Sequence, residues 1–251
     1  MKKIVMLCCF ASTLIACMEK VSVEAVNLRC ENLDNPVIDV SAPRLSWETV
    51  SEGRDVRQKL YRILVSSSLE KLNNDEGDMW DSKVKSDNSV YVTYEGEPLS
   101  SRTEYYWKVK VKTNKGESKW SKPASWSMGL TDKSDWQAKW TGLDTISEKD
   151  VVKEQRTRLA ARYFRKEFNV AKKVEKAVLY ISGLGLYEAY INAGRIGEQV
   201  LSPTPTDYSK VVKYNTFDVT SQLKEGNNAI GVILGNGRFF TMRNRNVRNF
   251  G

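Results

Sequence analysis

Histidine is missing from this sequence altogether. Its absence removes imidazole general acids and bases, Ser-His-Asp and Cys-His nucleophile systems, and His-ligated metals, so any chemistry would have to run on carboxylates. Cysteine is confined to the start of the chain, at Cys8, Cys9, Cys17 and Cys30, which leaves the folded body almost nothing to cross-link and excludes a disulfide scaffold. No apolar run is long enough to span a bilayer as a helix, and no segment keeps a 3.6-residue apolar stripe. Neither a metal nor a cofactor is expected.

What is present is a soluble globular mixture, 41% hydrophobic and 28% charged, in 251 residues that suit two ordinary domains. The first residues read as an export signal. Lys2 and Lys3 precede an apolar run from Ile4 to Ile15, which closes on Leu14-Ile15-Ala16-Cys17. Small residues before a cysteine are what lipoprotein signal peptidase accepts, so residues 1–17 form a leader with a lipobox and Cys17 becomes the acylated first residue of the mature protein. The other reading is a cleaved secretory signal with an incidental cysteine. Several acyl chains on one residue anchor a protein stably where a single chain binds only marginally. The expectation is therefore an exported bacterial lipoprotein, held at the periplasmic face or the cell surface with the membrane as its partner.

The net charge of +8 is unevenly placed. Residues 132–251 carry 20 Lys and Arg against 13 Asp and Glu, whereas residues 17–131 carry 17 against 18. Arg238, Arg243, Arg245 and Arg248 supply much of the excess, but they alternate with Asn and apolar residues rather than forming a basic stripe. No nucleic-acid partner is expected, and export would separate the protein from one.

Period-two patterns dominate, which predicts a mostly β protein. Tyr105, Trp107, Val109 and Val111 alternate with Tyr106, Lys108, Lys110 and Lys112, a half-buried strand with its lysines in water. Tyr61, Ile63 and Val65 repeat the pattern, and Pro43-Arg44-Leu45-Ser46-Trp47 opens an early strand with a core tryptophan. Turn-rich breaks at Asn73-Asn74-Asp75, Asp87-Asn88 and Asn114-Lys115-Gly116 fall at spacings expected of a sandwich. Residues 132–160 form a joint, in which the charged stretch from Ser147 to Arg158 suits a surface loop or a short helix. The second half then restarts at Tyr163 to Phe168, with strands at Lys176 to Ser182, Leu186 to Ile191, Val211 to Val219 and Ala229 to Leu234, the last buried on both faces. Asn192-Ala193-Gly194-Arg195 suits a tight hairpin in which Asn and Gly take positive φ. Thr220 or Ser221 can cap a one-turn helix through Leu223, stopped by Gly226.

Two resemblances follow. Pro98-Leu99-Ser100-Ser101-Arg102-Thr103-Glu104-Tyr105-Tyr106-Trp107, continued by Asn114 to Gly116 and Trp120-Ser121, is similar to the latter half of a fibronectin type III module, here over residues 24–131. In the second half four stretches stand in order: Ala161 to Phe168, Ile181 to Asn192, Thr206-Asp207-Tyr208, and Phe217-Asp218-Val219-Thr220 leading to Gly235-Asn236-Gly237. Together they resemble the jelly-roll domain that precedes the catalytic barrel in glycoside hydrolase family 78, the α-L-rhamnosidases. The resemblance implies an all-β chain, a fibronectin III/immunoglobulin-like sandwich followed by a galactose-binding-like jelly roll at 136–251, and one that is incomplete at its C-terminal end.

That family hydrolyses terminal α-L-rhamnosides with inversion, using two carboxylates on an (α/α)6 barrel. An inverting pair stands roughly 6.5–9.5 Å apart to admit a water. With no long helices in this chain, no residue inherits a catalytic role, and the chain alone is expected to be inactive. Some members carry a calcium-dependent, rhamnose-binding jelly roll with an Asp-Asn pair before the Tyr-containing strand; Leu184-Gly185 occupy those positions here, so that ligand set is not carried over. The residues that remain as candidates for contact with a rhamnose-containing glycan or with a barrel are Asp207, Tyr208, Asn236 and Arg238, each of which also fits a plain turn or loop-corner role. The alternatives to an accessory region of a rhamnosidase are a self-standing surface lipoprotein that binds carbohydrate without hydrolysis, and the sugar-binding sandwich of a β-galactosidase-like enzyme.

The lipobox yields the first test. Radiolabelled palmitate should label the protein in an exporting host, and Cys17→Ser should abolish the label; unchanged labelling would reject the assignment.

Overall fold

The alternation in the sequence becomes antiparallel sheet almost everywhere. The computed structural model describes residues 21–143, 145–153 and 156–239. The leader with Cys17 lies outside the described residues, as does the stretch from Phe240 onward, where the jelly roll was expected to break off. The chain is all-β in class and divides into two compact units between Gln137 and Ala138.

The first unit is a sandwich. One sheet joins β1 (Val23–Cys30), β3 (Arg44–Ser51) and β6 (Val92–Thr93); the other has the order β2 (Val37–Ile38), β8 (Ala124–Met128), β7 (Glu104–Thr113), β4 (Gln58–Ser66) and β5 (Trp80–Val84). Alternate residues of the two inner faces meet, among them Leu45 and Trp47 of β3, Tyr61, Ile63 and Val65 of β4, and Trp107, Val109 and Val111 of β7. The aromatic rings pack edge to face. Trp47 meets Tyr61 at 5.1 Å between centroids, and Tyr94 bridges Trp80 at 5.3 Å and Trp126 at 6.0 Å. Such pairs add about 0.5–1.5 kcal/mol beyond the area they bury. The indole nitrogen of Trp47 donates to Gln58 Oε1 at 3.1 Å, so a polar tip inside the core is satisfied.

One expectation fails on the outer face of the larger sheet. The turn expected at Asn73 is preceded by a helix, α1 (Leu69–Asn73), started by Ser68, whose hydroxyl accepts the Lys71 amide at 3.2 Å. α1 lies over β4 and β7 and buries Leu64 and Leu72 completely. Lys108 is consequently not in water: it is only 6% exposed, and its ammonium donates to Leu72 O at 2.5 Å and to the Asp75 carboxylate. Lys110 pairs with Glu117 at 3.1 Å, and both lysines lie 5.1 Å from the Trp120 ring. The strand alternation was right, but a covering helix of one turn left no apolar period in the sequence to show it.

In the second unit the main sheet has the order β11 (Arg162–Val170), β16 (Gly226–Gly235), β13 (Leu186–Ile191) and β14 (Gly194–Arg195). A two-stranded sheet joins β12 (Val178–Ile181) to β15 (Asn215–Asp218). Tyr187, Ala189 and Ile191 of β13 form the core with Ile196 and Val219, and Ile230, Val232 and Leu234 of β16 pack against them. β16 is therefore buried on one face only; Ala229 to Leu234 are half-exposed, not buried on both faces as the unbroken apolar run suggested. The strand expected from Val211 begins only at Asn215, because Asp207 O accepts the Lys210 and Val211 amides, both at 2.9 Å, and turns the chain there.

The hairpin after β13 holds Asn192 at φ 50° and Ala193 at φ 68°, the doubly positive pair of a type I′ turn, while Gly194 does not take positive φ. Asn192 tolerates it because its side chain is saturated: Nδ2 donates to Gln222 O and Asn228 Oδ1, and Oδ1 accepts from Ala229 N. The short helix after β15 is a 3₁₀ turn, Thr220–Gln222, capped by neither Thr220 nor Ser221. Asp218 Oδ1 accepts the Thr220 amide at 2.9 Å, and the Thr220 hydroxyl is drawn away to Ala177 N.

The charged stretch from Ser147 to Arg158 is neither loop nor helix but a hairpin of β9 (Val151–Lys153) and β10 (Arg156–Arg158). Asp150 closes its base. Its side chain is fully buried, and its carboxylate accepts two bonds from the Arg162 guanidinium, at 3.0 and 2.8 Å, and the amides of Ser147 and Ala160, at 2.7 and 2.6 Å. Arg162 first, then the two amides, hold the Asp150 carboxyl well below its ordinary 3.8.

A depressed carboxyl stabilises the fold above its unfolded value and ceases to do so as protonation sets in below it. The second unit should therefore lose stability as pH falls below about 4. In Asp150→Asn that acid limb should shrink, with a lower melting temperature at pH 7. Thermal unfolding of both proteins between pH 7 and pH 2 checks this; parallel pH profiles would contradict it.

Candidate functional site

The glycines of the second unit bring its two candidate segments into being. Gly185, at φ 140°, precedes β13, and a Cβ there would lie 2.2 Å from Gly235 O at the end of β16. Gly237, at φ 52°, faces back: its Cβ would come within 2.8 Å of Gly185 C. Backbone presses on backbone at this corner, where L side chains have neither room nor a relaxed conformation. Gly183 is crowded too, by the Tyr187 ring. These glycines serve geometry, and what they position is the turn Asn236 to Phe239.

Of the four candidate residues, two point into structure. Asn236 Nδ2 donates to Leu159 O at 2.9 Å, tying the turn to the chain just before β11. Asp207 turns on its own loop: its carboxylate accepts the Ser209 hydroxyl at 2.6 Å and the Ser209 amide at 3.3 Å, with Lys210 Nζ at 3.7 Å. The Ser209 hydroxyl leads in holding its carboxyl below the ordinary range.

The other two come together. The Tyr208 ring sits edge-on against Phe239, centroids 5.5 Å apart, so the loop after Thr206 rests on the turn after β16. Burial pushes the Tyr208 phenol up, and the nearby positive charge of Arg238 opposes that rise. Arg238 itself is exposed. The corner thus sets a half-buried tyrosine, its hydroxyl enclosed, beside an exposed guanidinium suited to a polyhydroxylated ligand or to an acidic partner surface. Phe239 was missed in the sequence because Arg238-Phe239-Phe240 has no period of its own; only the preceding glycines mark it.

Behind this corner Asn215 Oδ1 accepts the Tyr187 and Ser202 hydroxyls, at 2.7 and 2.8 Å. Burial raises the Tyr187 phenol to about 12, so it stays a neutral donor. In the first unit a depression of about 320 Å³ is lined by Asp78, Trp80, Asp81, Glu95 and Glu97. Of its acids, Asp78 is engaged by Ser67 and Lys71 and Asp81 by Arg62.

Among the described residues no group of three His, Cys, Asp or Glu side chains is placed to hold a metal. Every carboxylate with a resolved shift there lies below its ordinary value, held by a cation, a hydroxyl or an amide. Glycoside hydrolysis needs the opposite in one partner, a carboxyl raised enough to remain an acid near neutrality.

Two family models match the chain. Residues 25–132 match the Rha78A-like N-terminal immunoglobulin domain, and residues 172–250 match the α-L-rhamnosidase N-terminal domain. Among curated relatives, an α-L-rhamnosidase of Formosa agariphila is 44% identical over 220 residues, 81% of this chain and 23% of the relative. One of an Alteromonas species is 35% identical over 201 residues, 78% and 22% of the two chains. Among solved structures, the α-L-rhamnosidase of Dictyoglumus thermophilum superposes with a TM-score of 0.81 at 41% identity, over 86% of this chain and 25% of that one. That of Aspergillus terreus superposes with a TM-score of 0.72 at 30% identity, over 91% and 26%. This chain thus spans about a quarter of the length of the relatives it matches.

The crowded corner makes a quantitative prediction. Gly237→Ala should cost on the order of 1–3 kcal/mol through strained backbone alone. For a unit of roughly 100 residues that lowers the melting temperature by about 4 °C or more. Differential scanning calorimetry checks it, and an unchanged thermogram would mean that the corner is not tightly packed.

Proposed function

This chain belongs to the N-terminal region of the α-L-rhamnosidases, and from that membership we propose that it serves a protein hydrolysing terminal α-L-rhamnosides, at the exported membrane surface its leader sequence implies. The observation that carries this reading is the order of the two domains: an immunoglobulin-like sandwich matched over residues 25–132, then the rhamnosidase N-terminal domain matched over residues 172–250.

The chain's part in the reaction is accessory. Among the described residues, the carboxylates whose acidity is shifted all lie below the ordinary range, the opposite of what the proton donor of glycoside hydrolysis needs. What the second unit offers instead is a corner where Arg238 is exposed beside the half-buried ring of Tyr208. A phenol can lie against the apolar face of a sugar ring while a guanidinium donates to its hydroxyls, and both are pre-positioned by the glycines beneath. We place carbohydrate contact at Tyr208 and Arg238. Asn236 and Asp207 support it by shaping the two loops. The alternative, a self-standing glycan-binding lipoprotein, uses the same corner without hydrolysis; a coding sequence running on past Gly251 into a helical barrel would favour the first reading.

Purified protein of this chain alone should release no 4-nitrophenol from 4-nitrophenyl α-L-rhamnoside above a buffer blank, while turnover would overturn the accessory assignment. Calorimetric titration with L-rhamnose tests the corner. Arg238→Ala should weaken binding several-fold, and equal affinity in the variant would remove Arg238 from the contact.

A further inference from the structure

The outer face of the main sheet in the second unit carries a constellation that neither the core nor the glycine corner uses. Along β16, Ile230, Val232 and Leu234 face the core, so Ala229, Gly231 and Ile233 face away from it. The register sets Tyr163 on one side of Ile233 and Glu188 on the other. It sets Arg165 on one side of Gly231 and Tyr190 on the other, with Arg195 one strand further. Tyr163 is 77% exposed, the most exposed large apolar or aromatic side chain described.

Three features separate this face from an ordinary solvated one. First, Gly231 interrupts a central strand where a β-branched residue would pair and pack better. A Cβ built on it meets only Phe164 O, at 3.8 Å, so no crowding requires glycine there and the space above it is open. Glycine inside a strand is otherwise found where another molecule approaches the backbone closely. Second, Glu188 is held in place: Oε2 accepts the Tyr190 hydroxyl at 2.7 Å, and Oε1 lies 3.5 Å from Arg195 Nη2. A fixed carboxylate beside a guanidinium puts an acceptor and a donor side by side. Third, the charges cancel, Arg165 with Glu167 at 2.6 Å and Arg195 with Glu188, so the face attracts neither anions nor cations from a distance.

We propose that this face is a second carbohydrate site, taking a neutral sugar ring in the depression over Gly231 between the Tyr163 and Tyr190 rings. The phenols cover the ring's apolar C–H surface, and Glu188 with Arg195 accept from and donate to neighbouring hydroxyls. Because Glu188 is already held between Tyr190 and Arg195, these three side chains lose little conformational freedom on binding. The balance of charge selects an uncharged saccharide over a uronate. That the occupant is a sugar rests on the rhamnosidase reading; the position of the depression does not.

The test uses the full chain, ¹⁵N-labelled, titrated separately with L-rhamnose, D-galactose and D-galacturonate. A neutral sugar should shift the amides of Arg165, Tyr190 and Gly231, and D-galacturonate should do so at least tenfold more weakly. Gly231→Val fills the depression where there is room for it, so its melting temperature should stay within about 2 °C of the parent while the affinity falls at least tenfold. Tyr163→Ala, which truncates a side chain already in solvent, should weaken binding as well. Shifts from D-galactose alone over Gly231 would uphold the site and count against rhamnose as its ligand. Shifts confined to the surroundings of Tyr208 and Arg238 would overturn this proposal and leave the corner assignment standing. An absence of shifts with both neutral sugars, or full affinity in Gly231→Val, would also overturn it.

Discussion

One strand carries the second unit. β16 is hydrogen-bonded to β11 along nearly its whole length and to β13 over its C-terminal part, so among the described residues two long strands of the main sheet both depend on it. Each functional feature is a consequence of where along β16 it falls. Near its start, the buried amide of Asn228 bonds to Lys224, Gly226 and Asn192 and locks the strand to the hairpin across the sheet. In its middle Gly231 leaves the outer face open. At its end Gly235 lies so close to Gly185 that only glycine fits, and the turn that follows is aimed by that contact. An incompletely satisfied amide at Asn228 would leave buried polar atoms unpaired, at about 1–3 kcal/mol each. The network is therefore closed, and the strand has one register.

How much of this could be read in the sequence depended on the range of the interaction. Strands in which alternate residues bury large side chains were legible, as at Tyr105 to Val111 and Leu186 to Ile191, since one face of a sandwich writes its burial directly into a period of two. Elements held by single side chains were not. Nothing in the charged run from Ser147 to Arg158 announces a hairpin, because its closure depends on Asp150 meeting Arg162 and two amides, contacts that no local period records. Lys108 was misread for the same reason: its neighbours in the strand alternate as they should, but α1 arrives from elsewhere to cover it. Asn192 and Ala193 show a subtler limit. The hairpin was evident, but the second left-handed position fell on alanine, one residue before the glycine that composition favours.

The candidate residues divided along similar lines. Asp207 and Asn236 drew attention as polar residues in turns; Asp207 spends its carboxylate on its own turn, the commonest use of Asx side chains, and Asn236 ties its turn to Leu159. Tyr208 and Arg238 are separated by thirty positions in sequence and meet only because the loop after Thr206 rests on the turn after β16, through Phe239. Sequence motif marked both segments without showing that they share a corner. The open space over Gly231 was less visible still. A glycine inside an apolar run reads as a mere interruption until the register shows which side chains flank it.

The distribution of charge in the second unit argues for a division of labour. Carboxylates that catalyse must be left partly unsatisfied, one of them apolar enough in its surroundings to keep its proton. Here the reverse has been done at three aspartates: Asp150 has four donors, and Asp218 and Asp207 are clasped by hydroxyls and amides. Such satisfaction rigidifies a surface and makes it a poor proton donor. Rigidity with fixed donors and acceptors is what recognition of a sugar requires, because each hydroxyl must find its partner without the protein reorganising. Acids committed in this way hold the shape of the second unit, each tying a loop or a strand end to its neighbour, as Asp150 ties the base of the β9–β10 hairpin to Arg162.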